Sequence, residues 1–403
     1  MKKTTTKDWE IKTLGEVCNF HNGLWKGKKP PYETVSVIRN TNFTKDGHLD
    51  DSDIAVLDVE EKQFSKRQLA YGDIVLEKSG GGPKQPVGRV IIFDKKEGKY
   101  SFSNFTSVIR INSDSQLNFI YLHRFLYFLY ISGYTEKLQN HTTGIRNLDF
   151  AEYKNTKIPL PPLPEQKRIV KILDEKFVRI DELQKITEQQ IVDAKELFES
   201  CLSEIILSKD SVDWITAPIG EVSDLKQGLA INAKTDYLID PNGSLPLLRI
   251  KDLKHKTAEI FIDAAKASKA VHVYPEDIIY SRTGQVGLVF KGFKGILHNN
   301  SFKVTPVKNV SRDYLFWYLQ SKIFFDQVTH FAKRAAQPDI SHKSFKTILF
   351  SYPKSIARQN KIAKELDQLS VKTKELETIF HQKIADLEEL KKSYLADAFA
   401  GKL

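Results

Sequence analysis

The sequence predicts an α+β protein: two tandem mixed α/β domains, each followed by a long helix. Three observations carry this. With 403 residues, 41 % of them apolar, the chain is long enough for two or three domains that each bury a core. Motifs of the first half return in the same order in the second half. Partway through each copy, short Val/Ile/Phe/Tyr runs broken by Gly, Asn and Asp turns give way to one unbroken stripe of helical period.

The duplication runs end to end. Trp9, Leu14, Gly15, Glu16 and Val17 recur as Trp214, Ile219, Gly220, Glu221 and Val222. Tyr71-Gly72-Asp73-Ile74-Val75 is answered by Tyr274-Pro275-Glu276-Asp277-Ile278-Ile279, and Val87-Gly88-Arg89-Val90 by Val286-Gly287-Leu288-Val289. Phe102-Ser103-Asn104-Phe105 is matched to Asn299-Asn300-Ser301-Phe302, and Tyr121-Leu122 with Phe125-Leu126 returns as Tyr314-Leu315 with Tyr318-Leu319. Finally Gln166, Ile169, Leu173 and Asp174 fall on Gln359, Ile362, Leu366 and Asp367, and Leu197 and Leu202 on Leu390 and Leu395. Single matches are cheap, but their common order is not. The unit of repetition is about 200 residues, close to a typical domain with an added helix.

Within each copy the elements follow from local chemistry. The turn-rich part predicts strands with a few helices. The aromatic segments Tyr121–Tyr134 and Tyr314–Phe331 repeat apolar residues at helical spacing, which predicts a core helix in each domain rather than a base-stacking platform. After Ile158-Pro159-Leu160-Pro161-Pro162-Leu163-Pro164 the prolines stop, and Pro164-Glu165 suits a helix first turn. From there Ile169, Leu173, Phe177, Ile180, Leu183, Thr187, Ile191, Ala194, Phe198, Cys201 and Ile205 recur at steps of three and four. In the second copy Ile362, Leu366, Leu369, Thr373, Leu376, Phe380, Ile384 or Lys383, Leu387, Leu390 and Tyr394 do the same. These are heptad-like stripes able to bury against each other. The resulting boundaries are 1–158 and 209–350 for the domains, and 159–208 and 351–403 for the helices.

Charge follows the same partition. Lys+Arg exceed Asp+Glu by ten overall; residues 1–158 hold 24 basic and 19 acidic side chains, 209–350 hold 20 and 14, and 159–208 hold 7 and 10. The positive excess sits on the turn-rich domains, where a polyanion would bind. Two cysteines, Cys18 and Cys201, cannot build a disulfide framework or a structural zinc site, which fits a reducing compartment. The basic start has no apolar stretch behind it, and no run of 18 uncharged apolar residues occurs. The expectation is a cytoplasmic protein without a membrane partner.

No complete active site is legible. Ser79-Gly80-Gly81-Gly82-Pro83-Lys84 lacks the spacing of a phosphate-cradling loop, and no nucleophile elbow or His-Glu-x-x-His pair occurs. Glu97-Gly98-Lys99 behind Asp73 resembles a nuclease motif, but the second copy offers Lys291-Gly292-Phe293-Lys294 there. What remains is a set of polar, basic loops at matching places. Arg39 and Asn40, in Val37–Asn42, lie where Leu247–Asp252 carries Arg249 and Lys251; Lys78, Ser79, Lys84, Gln85 and Arg89 match the region of Ser281, Arg282, Thr283 and Gln285; Arg146 adds a further cation. Arg, Lys, Gln, Asn and Ser are the side chains that bond base edges and phosphates, so these are the candidate DNA-binding residues. No catalytic or metal-ligating residue is assigned.

The proline-rich run Ile158–Ile169 leading into a long helix closely resembles the specificity subunit of type I restriction-modification enzymes. So do Leu248-Arg249-Ile250-Lys251-Asp252-Leu253, the Ser281-Arg282-Thr283-Gly284 loop and the Ala398-Phe399-Ala400-Gly401-Lys402-Leu403 ending. The resemblance covers essentially the whole chain. It implies two target recognition domains, each reading half of a bipartite site in double-stranded DNA, and two helices packed as an antiparallel coiled coil that fixes the unread spacer. It also implies two methyltransferase subunits as partners and, in a full restriction system, two restriction subunits. S-adenosylmethionine, ATP and magnesium would sit on those partners and none on this chain. Two other readings fit the charge and the helices: a stand-alone coiled-coil DNA-binding regulator, and a purely structural interaction protein.

Overall fold

A computed structural model describes residues 9–24, 27, 29–82, 85–142, 145–207, 213–332 and 338–403. The chain divides into two compact units, Met1–Thr187 with Gln382–Leu403, and Glu188–His381. Each unit therefore contains one turn-rich domain, the start of one long helix and the end of the other.

In the first unit a four-stranded antiparallel sheet runs in the order Cys18–Asn22, Thr106–Ile111, Ile74–Glu77, Val90–Ile92. The strand Ile74-Val75-Leu76-Glu77 is buried along its whole length, so a continuous apolar run replaces strict alternation. A second sheet orders Ala55–Glu60, Tyr32–Ile38 and Tyr100–Phe102, the last two parallel. A third joins Gln139–Thr142, Ile145–Leu148 and Ser79–Gly81. The second unit repeats the first sheet as Ser223–Gln227, Ser301–Pro306, Ile278–Ser281, Val289–Phe290. It repeats the second sheet as Phe261–Ile262, Leu245–Leu248, Gly295–Leu297, with His272–Val273 added at the edge. Each domain is closed by a pair of strands near its two ends: Glu10–Thr13 with Lys157–Leu160, and Trp214–Pro218 with Leu349–Pro353.

One sequence match needs correction. Leu24 N–H bonds Phe102 O and Leu229 N–H bonds Leu297 O, while Thr106 N–H bonds Ser103 O and Ser301 N–H bonds His298 O. Phe102 therefore corresponds to Leu297, and Asn104-Phe105 to Asn299-Asn300. Matching on Asn and Phe identity had displaced the segment by two residues; backbone pairing sets the true register.

The first aromatic segment is one core helix, Phe119–Ile131, whereas the second breaks at Ser321 into two, Arg312–Gln320 and Lys322–Ala332, instead of the single helix expected. Asn118 caps Phe119–Ile131 by accepting from Ile120 N (3.0 Å) and Tyr121 N (3.1 Å), and Ser311 caps Arg312–Gln320. Tyr121, Leu122, Phe125 and Leu126, like Tyr314, Leu315, Trp317 and Tyr318, are buried. Two of these buried hydroxyls pair with backbone: Tyr121 donates to Pro159 O (3.0 Å) and Tyr314 to Ser351 O (2.8 Å).

The long helices span Leu163–Leu207 and Ile356–Phe399, the first beginning two residues before the expected Glu165. Pro162 O accepts from both Glu165 N and Gln166 N, so the last prolines belong to the turn into the helix. In the first unit Ile169, Leu173 and Phe177 join one core with Leu395, Ala398 and Phe399, and Lys391 bonds Asp181. In the second unit Leu202 and Ile206 share a core with Ile362, Ala363 and Leu366, and Lys195 lies 3.8 Å from Glu377. Within each unit the partners descend on one helix as they ascend on the other, so the packing is antiparallel. Leu202 and Leu395 are the matched leucines of the repeat, and each completes the domain of the other copy.

A buried glutamine locks each domain to the helix beginning beneath it. Gln166 Oε1 accepts from Asn118 N (2.8 Å) while its Nε2 donates to Gln116 O (2.9 Å) and Pro161 O (2.7 Å). Gln359 repeats the set with Ser311 N (2.6 Å), Asn309 O (3.2 Å) and Pro353 O (2.7 Å). Among the described residues no helix is long and apolar enough to cross a membrane.

Candidate nucleic-acid interface

Two chain corners meet in each unit and hold most of the candidate residues. The first follows the strand Tyr32–Ile38 or Leu245–Leu248. There Arg39 and Arg249 take extended backbone angles and precede a short helical turn, and the third residue of that turn accepts from the arginine N–H. In one copy the acceptor is Asn42 Oδ1 (2.9 Å); in the other it is Asp252 Oδ2 (3.2 Å). The second corner follows Ile74–Glu77 or Ile278–Ser281 and carries Lys78-Ser79-Gly80 or Arg282-Thr283-Gly284. Gly80 and Gly284 have φ of +97° and +79°, a region glycine enters without strain. Lys78 N–H bonds Phe105 O, and Arg282 N–H bonds Asn300 O, so a third segment packs beside this corner in both copies.

In the first unit the corners are tied through a buried acid. Glu77 is fully buried and takes a bidentate pair from Arg89, Nε to Oε2 at 2.7 Å and Nη2 to Oε1 at 3.0 Å. Arg89 also donates to Phe43 O (3.1 Å) and Asn40 O (2.9 Å) and lies over the Phe43 ring, while Asn40 Nδ2 donates to Glu77 Oε1 (3.2 Å). Gln85, with its amide turned to suit its neighbours, accepts from Arg89 as well. Lys78 donates to Asn22 Oδ1 (2.8 Å) and lies over the Phe150 ring; burial lowers its pKa below the usual lysine value. Ser79 donates to Asn147, and Arg146 sits 3.7 Å from Glu136. Lys84 lies outside the described residues.

The second unit spends its cations differently. Arg282 Nη2 spans both oxygens of Asp339 (2.9 and 3.0 Å) with the guanidinium over the Phe302 ring, and Thr283 donates to the same carboxylate. Arg249 donates to Asp252 through Nε (2.6 Å) and Nη2 (3.0 Å), and to Glu259 (2.9 Å), which Lys251 also meets. Burial raises the Asp252 carboxyl, but the bonds and charge of Arg249 outweigh it and hold Asp252 below the ordinary carboxylate range. Ser281 is buried and turned inward, donating to Gln285 O (2.6 Å) and accepting from Leu288 N (2.7 Å). Gln285 faces outward and accepts from Lys254 (3.1 Å).

The structure thus gathers Arg39, Asn40, Gln85 and Arg89 in one place, and Arg249 with Lys251 and Arg282 with Thr283 on matched corners. It also adds residues that the sequence did not single out. Glu77, Asn147 and Asp339 anchor the loops. Leu24, Val37, Leu57, Ser103, Asn104 and Phe105 line a cleft of about 320 Å³ with Arg39 and Asn40. Ser79–Asn147 and Thr283–Asp339 are equivalent: Leu148 N–H bonds Lys78 O, and Ile340 N–H bonds Arg282 O. Unequal loop lengths hid that correspondence in the sequence.

Comparison with known proteins agrees with this architecture. The family model for the type I restriction modification DNA specificity domain matches residues 6–192 and again 211–389. The chain is 24 % identical to the type I restriction enzyme EcoKI specificity subunit of Escherichia coli K12, over 98 % of this chain and 89 % of that protein. It is 23 % identical to the EcoBI specificity subunit of Escherichia coli, a match that spans 70 % of this chain and 66 % of the relative. A chain from a type I R-M system, solved to address complex assembly and conformational transition, superposes with a TM-score of 0.77 at 20 % identity, covering 98 % of both chains. The HsdS subunit from Thermoanaerobacter tengcongensis superposes with a TM-score of 0.57 at 20 % identity, covering 99 % of this chain and 98 % of that one. With both copies matched and the fold shared end to end, this chain belongs to the type I restriction-modification DNA specificity family.

Proposed function

We propose that the chain is the recognition subunit of a type I restriction-modification complex, with residues 1–158 and 209–350 each reading one half of a bipartite site in double-stranded DNA. The observation that carries this is the repeated pair of corners, built on matched strands but carrying different side chains in the two units. One fold presented twice with different polar surfaces suits two unlike half-sites.

In this reading the antiparallel helices fix the unread spacer and dock two methyltransferase subunits, with two restriction subunits in a full system. S-adenosylmethionine, ATP and magnesium belong to those partners, and base flipping and methyl transfer occur there. This chain contributes recognition and scaffold, and works in the cytoplasm where the DNA is. Methylation mapping across a genome, with and without this chain, tests the reading. The expected result is a bipartite methylated motif that disappears with the chain. An unchanged methylation pattern would sink it.

A further inference from the structure

The matched corners differ in one respect that separates a reading residue from a structural one. In the second unit, Asp252 holds the Arg249 backbone and its guanidinium at once, and Glu259 takes a further N–H. In the first unit Asn42 stands in the place of Asp252. Its single amide oxygen is used by Arg39 N–H, and its Nδ2 donates to Asp50 O (3.2 Å) and Asp53 O (3.0 Å). Asn42 is neutral and its amide oxygen takes only the Arg39 backbone N–H, so no carboxylate holds the Arg39 guanidinium as Asp252 holds that of Arg249. Arg39 accordingly makes no side-chain hydrogen bond or ion pair with any described residue, and its Nε is buried without a partner. A buried, unsatisfied donor on a charged group costs free energy unless a ligand completes it.

The surroundings say what kind of ligand. Arg39 lines the cleft with Asn40 and Asn104 on its polar side and with Leu24, Leu57 and Phe105 on its apolar side. Phe105 and Leu57 are exposed although large and apolar, and Gly80 closes the wall between Asn40 and Phe105, where a Cβ would come within 3.3 Å of both. A phosphate needs positive charge and donors but no apolar wall. A base edge presents both acceptors and, at thymine, a methyl group. Arg89, Arg249 and Arg282, by contrast, are already paired with Glu77, Asp252 and Asp339.

We infer that Arg39 is a specificity-determining residue of the first unit: its guanidinium reads guanine O6 and N7 in the major groove, with Phe105 and Leu57 against the neighbouring base. Arg89, Arg249 and Arg282 position the loops and read no base. The inference rests on the DNA-recognition reading above.

The test uses the full chain, in the complex it purifies with, on duplexes carrying its methylated motif and every single-base variant of both half-sites. The wild type first establishes that a bipartite motif exists; its absence strikes the recognition reading and not this assignment. Given the motif, Arg39→Ala is expected to abolish discrimination at one position of one half-site, where the wild type prefers guanine on the order of tenfold or more. Every other position should keep its preference. Arg39→Lys, which keeps the charge without the fork, should lose the same preference while total affinity stays within a fewfold. A uniform drop across all duplexes would make Arg39 a phosphate contact, and an unchanged profile would give it no role; either overturns the inference. Should Arg39→Ala fail to fold, Arg39→Lys decides alone.

Discussion

At the scale of single residues, the loops that face outward are held by ion pairs that point inward. Glu77 and Arg89 form a bidentate pair with the acid fully buried, so removing one partner strands the other. Glu77→Ala should cost about 3–5 kcal/mol of stability, read as a lower urea midpoint, whereas a loss under about 1 kcal/mol would mean water replaces the carboxylate. His123 gives a second test. Burial pushes its pKa down to about 3, so the folded state keeps it neutral where the unfolded chain, near 6.5, takes up a proton. The unfolded state then binds more protons as pH falls from about 6.5 towards 3, and stability is lost in that window. Between pH 7 and 5 this amounts to about 2 kcal/mol. The second copy carries Phe316 at the matched position, and His123→Phe should remove that part of the acid-side loss in denaturation curves at the two pH values. None of these pairings was legible in the sequence. Arg89 looked like a free basic loop residue because its acid lies across a turn, and nothing in the order of residues says which way a side chain faces.

At the scale of elements, much more was legible, because periodicity and punctuation are local properties. The proline run announced the turn into Leu163–Leu207, the three-four stripe announced both long helices, and the aromatic stripes announced Phe119–Ile131 and Arg312–Gln320. Sheet order was not legible: the parallel pairing of Tyr32–Ile38 with Tyr100–Phe102 joins segments some sixty residues apart on no local signal. Gln166 and Gln359 stood out only as a repeated match, yet each satisfies three backbone groups in a dry joint. Gln166→Ala leaves Asn118 N, Gln116 O and Pro161 O to find other partners, and should cost about 2 kcal/mol or more in chemical denaturation. Gln166→Glu should cost at least as much, since a carboxylate cannot donate to the two carbonyls.

At the scale of the whole molecule, the repeats are interdependent. Leu395, Ala398 and Phe399, at the far end of the second helix, complete the core of the first unit, as Leu202 and Ile206 complete that of the second. A chain truncated after Lys392 loses Leu395, Ala398 and Phe399 from the first core, and Tyr394 and Leu403 with them, each large one worth about 2–5 kcal/mol. Hydrogen exchange should then show lost protection in residues 9–160 and retained protection in 213–353; the reverse pattern would contradict reciprocal completion. The closing strand pairs have a different consequence. Each recognition domain leaves the helical frame and returns to it through two adjacent strands, Glu10–Thr13 beside Lys157–Leu160 and Trp214–Pro218 beside Leu349–Pro353. What lies between those strands can be exchanged only as a domain that also meets the helix start, as Asn118 and Gln116 meet Gln166, and the far helix end, as Tyr121 and Phe125 meet Phe399. The two strands thus form a neck at which one domain is exchangeable as a unit, while the other, closed by its own strand pair, keeps its fold.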